Sequence, residues 1–188
     1  MGKLIYLMNV SLDGYIETAD HSLDWATVDD ELHTWFNDHM REMAASLYGR
    51  RLYEVMAGYW PTSDSDPNAT EPMREFGQLW RATPRVVFST TLTSVDHNSR
   101  LARGDVGDEL ARLRDEVDGD IEVGGPTLAA AFIRRGLVDE YRLVIHPVVL
   151  GGGTPFFPSL ETSIPLRQTA TKRFGSGAVF VAYEVARG

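Results

Sequence analysis

Short apolar runs that alternate with helical spacing constrain this chain more than any other feature. Leu4 to Val10 is almost continuous apolar sequence and stops at Ser11-Leu12-Asp13-Gly14. Such a run reads as a strand buried on both faces, closed by an Asp-Gly turn. Arg85 to Ser89 and Ile121 to Val123 repeat the pattern, the second ending at Gly124-Gly125. Between them lie segments whose apolar residues recur at helical steps. In Asp29 to Leu47 these are Leu32, Trp35, Phe36, Met40, Met43, Ala44 and Leu47, and Leu47-Tyr48-Gly49 also suits a short strand. Arg50 to Ala57, Glu71 to Trp80 and Asp108 to Val117 are further helical candidates. So is Thr127 to Arg135, where Pro126 takes the favoured first helical position. Val138 to Val149 reads as a long strand, and Pro61 to Pro72 as a polar loop. Leu166 to Phe174 and Ala178 to Val185, joined by Gly175-Ser176-Gly177, read as a hairpin. This order predicts an α/β fold with a mainly parallel central sheet, helices on both faces and a C-terminal antiparallel hairpin. Residues 1–188 suit a single domain.

Composition narrows the function. Acidic residues number 27 against 18 basic, a net charge of −9, which argues against nucleic acid as a partner. The absence of cysteine excludes disulfides, thiolate metal sites and a cysteine nucleophile. His21, His33, His39, His97 and His146 show no metal-ligand spacing, so no metal is expected. No apolar run is long enough to span a membrane, and Met1 to Tyr6 lacks the apolar stretch of a signal peptide. The expected compartment is the cytoplasm.

Ligands of parallel sheets sit at the carboxyl ends of strands, and several turn clusters fall there. In Val123-Gly124-Gly125-Pro126-Thr127, two glycines between a strand and a helix let backbone approach a phosphate at a helix amino terminus; a tight turn needs the same glycines. Gly49-Arg50-Arg51 offers forked cationic contacts or a solvated basic pair. Ser89-Thr90-Thr91 offers hydroxyls to a phosphate or ribose, or caps a turn. Gly151-Gly152-Gly153 suits a mobile loop or close backbone approach to a ligand. Asp13 and Asp30 are the carboxylates that stand out, one in the first Asp-Gly turn and one near the start of the first helix.

Taken together, these segments resemble the reductase (carboxyl-terminal) domain of the bifunctional riboflavin-biosynthesis deaminase–reductase, within the dihydrofolate reductase-like superfamily. The matching stretches are Ser11 to Ile16, Gly49 to Glu54, Val87 to Leu92, Gly124 to Leu128, Gly136 to Glu140, Pro147 to Gly153 and the final hairpin. The resemblance implies a three-layer dihydrofolate reductase-like fold and NADPH as cofactor. It implies that Gly49, Arg50 and Arg51 meet the cofactor's phosphates, with an arginine facing the adenosine 2′-phosphate, that Ser89 and Thr90 lie beside its adenosine, and that Gly124, Gly125, Thr127 and Leu128 cradle the pyrophosphate. It places Asp13 near nicotinamide and substrate. Trp25 and Asp30 resemble the tryptophan and helix carboxylate that face the pterin in dihydrofolate reductases. Two residues depart from the pattern: Leu52 replaces a usual threonine, and Thr90 stands where related chains often carry a basic residue.

The implied activity is an NADPH-dependent reductase acting on a C=N or C=O of a pyrimidine- or pterin-like small molecule. The acceptor's proton is expected from water, Asp13 or Asp30, and a carboxylate serving as an acid near neutrality needs a raised pKa. The alternatives are true dihydrofolate reductase activity and a non-catalytic NADPH-binding module. The loops Glu17 to Asp24 and Pro61 to Pro72 are expected to shape the substrate pocket. A homodimer is expected, paired through the long Val138 to Val149 strand or the terminal hairpin.

Overall fold

A computed structural model of the protein describes residues 2–186; Met1, Arg187 and Gly188, the ends of the expected single domain, lie outside the described residues. The apolar run after Lys3 forms β1 (Leu4–Ser11), which the Asp13-Gly14 turn joins to β2 (Tyr15–Glu17). α1 (Asp30–Glu42), β3 (Met43–Gly49), α2 (Arg50–Ala57), a 3-10 turn (Trp60–Ser65) and α3 (Glu71–Ala82) follow. Next come β4 (Arg85–Phe88), β5 (Ser99–Ala102), α4 (Val106–Glu116), β6 (Asp120–Gly124) and α5 (Pro126–Arg134). The chain closes with β7 (Glu140–His146), β8 (Thr154–Pro155), β9 (Leu166–Arg173) and β10 (Val179–Val185).

Eight strands form one sheet in the order β5-β4-β3-β6-β1-β7-β10-β9, and β2 and β8 form a small second one. Pairing is parallel from β5 through β7 and antiparallel where β10 meets β7 and β9, the arrangement expected from alternation closed by a hairpin. Successive side chains of β1 point to opposite faces. Tyr6 and Val10 join the core beneath α4 and α5, with Leu110, Leu113, Leu128 and Phe132. Leu7 joins Leu32 of α1, with Val144 and Phe180. A third cluster, Met40, Tyr48, Phe76 and Trp80, packs α1 and α3 beside β3. Helices therefore cover both faces, which gives three layers. No helix among the described residues is long and apolar enough to cross a membrane.

The structure corrects several expected boundaries. The first helix ends at Glu42, and Met43 to Gly49 is strand β3 between β4 and β6. Met43 to Leu47 is apolar apart from Ser46, and over so few residues periodicity does not separate a buried strand from a helix turn. The long strand is Glu140–His146 only; Pro147 follows and has no N–H for the ladder. Because β7 lies between β1 and β10, both its edges are already paired, and only β9 of the hairpin offers an edge. The polar Pro61 to Pro72 stretch is partly a 3-10 turn on α3, with Ser63 wholly buried. β5, a short strand of Ser-Arg-Leu-Ala, carried no apolar signal.

Candidate active site

β5, β4, β3, β6 and β1 end side by side along one rim of the sheet, and the segments leaving them line a cavity of about 660 Å³. β5 leads into Arg103 and Gly104, and β4 into Ser89, Thr90 and Thr91. β3 leads through Gly49 into Arg50, Arg51 and Leu52 of α2, and β6 through Gly125 into Pro126, Thr127 and Leu128 of α5. At the far end stand Met8 of β1 and Ile16 and Glu17 of β2. The cavity thus gathers eight of the nine residues expected to meet a cofactor.

Gly124 is the ninth, and its role is to make room. A side-chain carbon there would lie 2.4 Å from Leu52 Cδ2 and 3.2 Å from the Tyr48 ring. Gly125 has φ of 90°, a conformation that L side chains rarely adopt. These two glycines swing the chain from β6 into α5 with its amino end open to the cavity.

Two helices start in the wall. Gly49 precedes α2 and Gly125 precedes α5, and neither cap residue supplies a side-chain hydrogen bond. Asp29 and Asp105, by contrast, cap α1 and α4 with their carboxylates. The first-turn N–H groups of α2 and α5 are therefore left for water or a ligand, and the positive ends of both helix dipoles favour an anion.

Side-chain charges sort unevenly. Arg51 forks onto the buried carboxylate of Glu17, Nη1 to Oε1 at 3.1 Å and Nη2 to Oε2. Glu17 Oε1 also accepts from Thr154 Oγ1 at 2.6 Å and His21 Nδ1 at 2.8 Å. Burial alone would raise the Glu17 carboxyl, but the bonds from Thr154, Arg51 and His21 outweigh it and hold it below its ordinary range. Arg50 reaches Glu54 one helical turn on, at 3.1 Å. Arg103 donates from Nη1 to the Ser89 carbonyl at 3.3 Å and from Nη2 to the Leu92 carbonyl at 2.6 Å. Ser89 Oγ accepts from the Thr91 and Leu92 amides at 3.2 and 3.0 Å, so it shapes the turn, while Thr90 is exposed in the cavity wall.

The two singled-out carboxylates lie elsewhere. Asp13 accepts from Ser11 Oγ at 2.6 Å and from the amides of Leu150 and Gly151 at 3.1 and 2.8 Å. The Ser11 bond, backed by those amides, holds its carboxyl down at about 2. Bonded in this way, Asp13 latches its turn to the 150–151 segment. Asp30 is exposed in the first turn of α1, the helix packed on the face of β1 opposite Met8. Trp25 packs edge-on against His146, ring centres 5.5 Å apart. Neither Trp25 nor Asp30 lines the cavity. The triple glycine also has a structural purpose: a side-chain carbon at Gly153 would fall 1.9 Å from the Glu17 carbonyl oxygen, so the close approach is to β2. Of the two loops expected to shape the pocket, only the first reaches it, through Glu17 and Leu23.

Sequence reasoning missed Arg103 and the ion-pair role of Glu17. Arg103-Gly104-Asp105 is a turn cluster of the expected kind, but it follows a strand too polar to be recognised.

Comparison with known proteins places this architecture. The family model for the RibD C-terminal domain matches residues 2–180. The uncharacterized protein YyaP of Bacillus subtilis strain 168 is 35% identical over 182 residues, 96% of this chain and 94% of YyaP. A putative riboflavin biosynthesis protein from Shewanella sp. PV-4 superposes with a TM-score of 0.79 at 23% identity, covering 98% of this chain and 99% of that one. Dihydrofolate reductase from Enterococcus faecalis, complexed with NADP(H) and RAB-propyl, superposes with a TM-score of 0.64 at 15% identity, over 99% and 98% of the two chains. At these identities the superpositions establish the dihydrofolate reductase-like fold. The chain belongs to the RibD C-terminal domain family.

Proposed function

We propose that the protein is an NADPH-dependent reductase that transfers a hydride to a C=N or C=O of a pyrimidine- or pterin-like small molecule. The observation that carries this reading is the cavity itself, laid across five adjacent strand ends with two helix amino termini lacking side-chain caps in its wall. Four strand spacings of about 4.8 Å give it a run of about 19 Å. That length, with helix amino ends mid-way, suits an extended dinucleotide whose pyrophosphate lies at the centre. The family membership and the NADP(H) named for the Enterococcus faecalis enzyme support the same reading.

In this reading Gly49, Arg50, Arg51, Gly125 and Thr127 hold the phosphates, Gly124 keeps the turn open, Leu128 lines the cradle, and Ser89 and Thr90 border the adenosine. When bound, NADPH supplies the hydride. Met8 and Ile16 offer an apolar wall that keeps water from a flat ring. Asp13 positions the segment beside that wall, and the acceptor's proton comes from water.

The test is a titration of the purified protein with NADPH and with NADH, followed by nicotinamide fluorescence. Saturable NADPH binding, then turnover in a screen of pterin and pyrimidine acceptors, is the expected result. Absence of binding by either nucleotide would remove the cofactor assignment. Binding with no acceptor turned over would leave a binding module.

A further inference from the structure

Polarity and charge change along the cavity. The end at β5 and β4 holds Arg103 with Ser89, Thr90 and Thr91, whereas the end at β1 and β2 holds Met8, Ile16 and Leu23. Helix α2 adds Val55 to this second end. Val55 lies one helical turn beyond Arg51 on the same side of the helix, and Arg51 bonds Glu17 of β2. Leu23 and Val55 are 44% and 51% exposed, although both line the cavity. Apolar side chains left in water at the mouth of a site favour a ligand that covers them.

Charge at this end has one sign. The segment from β2 into α1 carries Glu17, Asp20, Asp24, Asp29, Asp30 and Glu31, and no lysine or arginine. Among the described residues only Glu17 of these six pairs with an arginine, Arg51, and His21 is turned onto the same carboxylate at 2.8 Å. Asp20 accepts from Thr18, Asp29 caps α1, and Glu31 accepts from the Gly175 amide, so those bonds bring no cation. Of the other arginines in the wall, Arg50 is paired with Glu54 and Arg103 stands at the far end. An acceptor entering beside β1 and β2 therefore meets an apolar rim in a negative field. We propose that the acceptor is an uncharged flat ring whose substituent covers Leu23 and Val55 and bears no phosphate or carboxylate. The inference rests on the reductase reading above and narrows its substrate class. The reduction keeps its balance: the carbon of the C=N or C=O gains a hydride, its nitrogen or oxygen gains a proton from water, and the oxidised nucleotide is left. The same field opposes the two carboxylates of dihydrofolate, which separates this reading from true dihydrofolate reductase activity.

The experiment measures acceptor binding by calorimetry to the full chain saturated with NADP+. The probes are 7,8-dihydrobiopterin, 7,8-dihydroneopterin monophosphate and 7,8-dihydrofolate, which share one ring, and 5-amino-6-ribosylaminouracil with its 5′-phosphate. Within the ring type that binds, the uncharged probe should bind about tenfold or more tighter than its anionic counterparts at about 0.05 M salt, and the gap should shrink to about twofold at about 0.5 M. With NADPH in place of NADP+, kcat/KM should follow the same order. Asp24→Lys, in an exposed loop, and Val55→Arg, at an exposed helix position, should each narrow the gap severalfold at low salt. Anionic probes that bind the wild type as tightly as the uncharged ones would overturn the inference, and so would a gap that neither salt nor either variant moves. Saturable NADP+ binding with none of the probes bound would also overturn it, while leaving the cofactor assignment in place. Failure to bind NADP+ would remove the reductase reading as well.

Discussion

A carboxylate in the wall of an anion site opposes the ligand unless its charge is taken up, and Glu17 is taken up by Arg51, His21 and Thr154 together. Glu17→Gln should cost about 1 to 3 kcal/mol of stability, since the buried side chain then loses its charge-assisted bonds to Arg51, His21 and Thr154. The same change frees Arg51, so NADPH should bind more tightly as the fold weakens. Thermal unfolding and nucleotide titration of the same variant read both effects; an unchanged melting temperature would contradict this account of Glu17. Asp13 shows what the sequence can reveal at this scale. The Asp-Gly pair marks a turn locally, and a turn is there. Its partners Leu150 and Gly151 are 137 and 138 residues away, and no local pattern announces them. The residue was legible and its task was not, because the task is defined by chain segments that meet only in the folded state.

Elements are most legible where their signal is local chemistry. The glycine turn before α5 needs no tertiary information: two glycines, a proline at the first helical position and an apolar run behind them. The boundary between α1 and β3 is not legible locally, because its residues suit either state and pairing with β4 and β6 decides. The same turn allows a sharp test. At Gly125 a side chain must adopt φ near 90° and sit 3.5 Å from Leu52 Cβ. Gly125→Ala should therefore cost about 1 to 3 kcal/mol in stability. It should also weaken NADPH and NADH alike, because the α5 amino terminus is re-aimed for both. Denaturant unfolding and paired titrations check this. Selective loss of one nucleotide would mean that the turn reads the ribose end and not the shared pyrophosphate.

For the molecule as a whole, strand and helix order was legible and strand placement was not. β1 lies between β6 and β7, more than a hundred residues away in sequence, so the cavity exists only because distant strand ends are brought level. Stability against pH is likewise a property of the whole chain, and its sign can be worked out group by group. Burial lowers His33 and His146, which stay neutral when folded and take up protons when unfolded, so their contribution is lost as pH falls through about 6.5. Asp13 and Asp105, each held at about 2, and Glu17, Glu75 and Glu184, each lowered, contribute above the ordinary carboxylate range and lose that contribution as pH falls below it. On the alkaline side Lys3 is raised to about 12 by Glu184 and Glu140, and Tyr141 to about 12 by burial. Both contributions are complete below about pH 10 and fade above it. Net charge works against the acid part of this pattern, since the −9 charge is relieved as pH approaches 5. That repulsion is long-range and is screened within about 8 Å at 0.15 M salt, whereas buried histidines are not. At that ionic strength the melting temperature should therefore hold a plateau from about pH 7 to 10, decline gently toward pH 5 and fall steeply below pH 4. A melting temperature that rises from pH 7 to pH 5 in 0.15 M salt would show that relief of repulsion dominates and that burial of His33 and His146 contributes little.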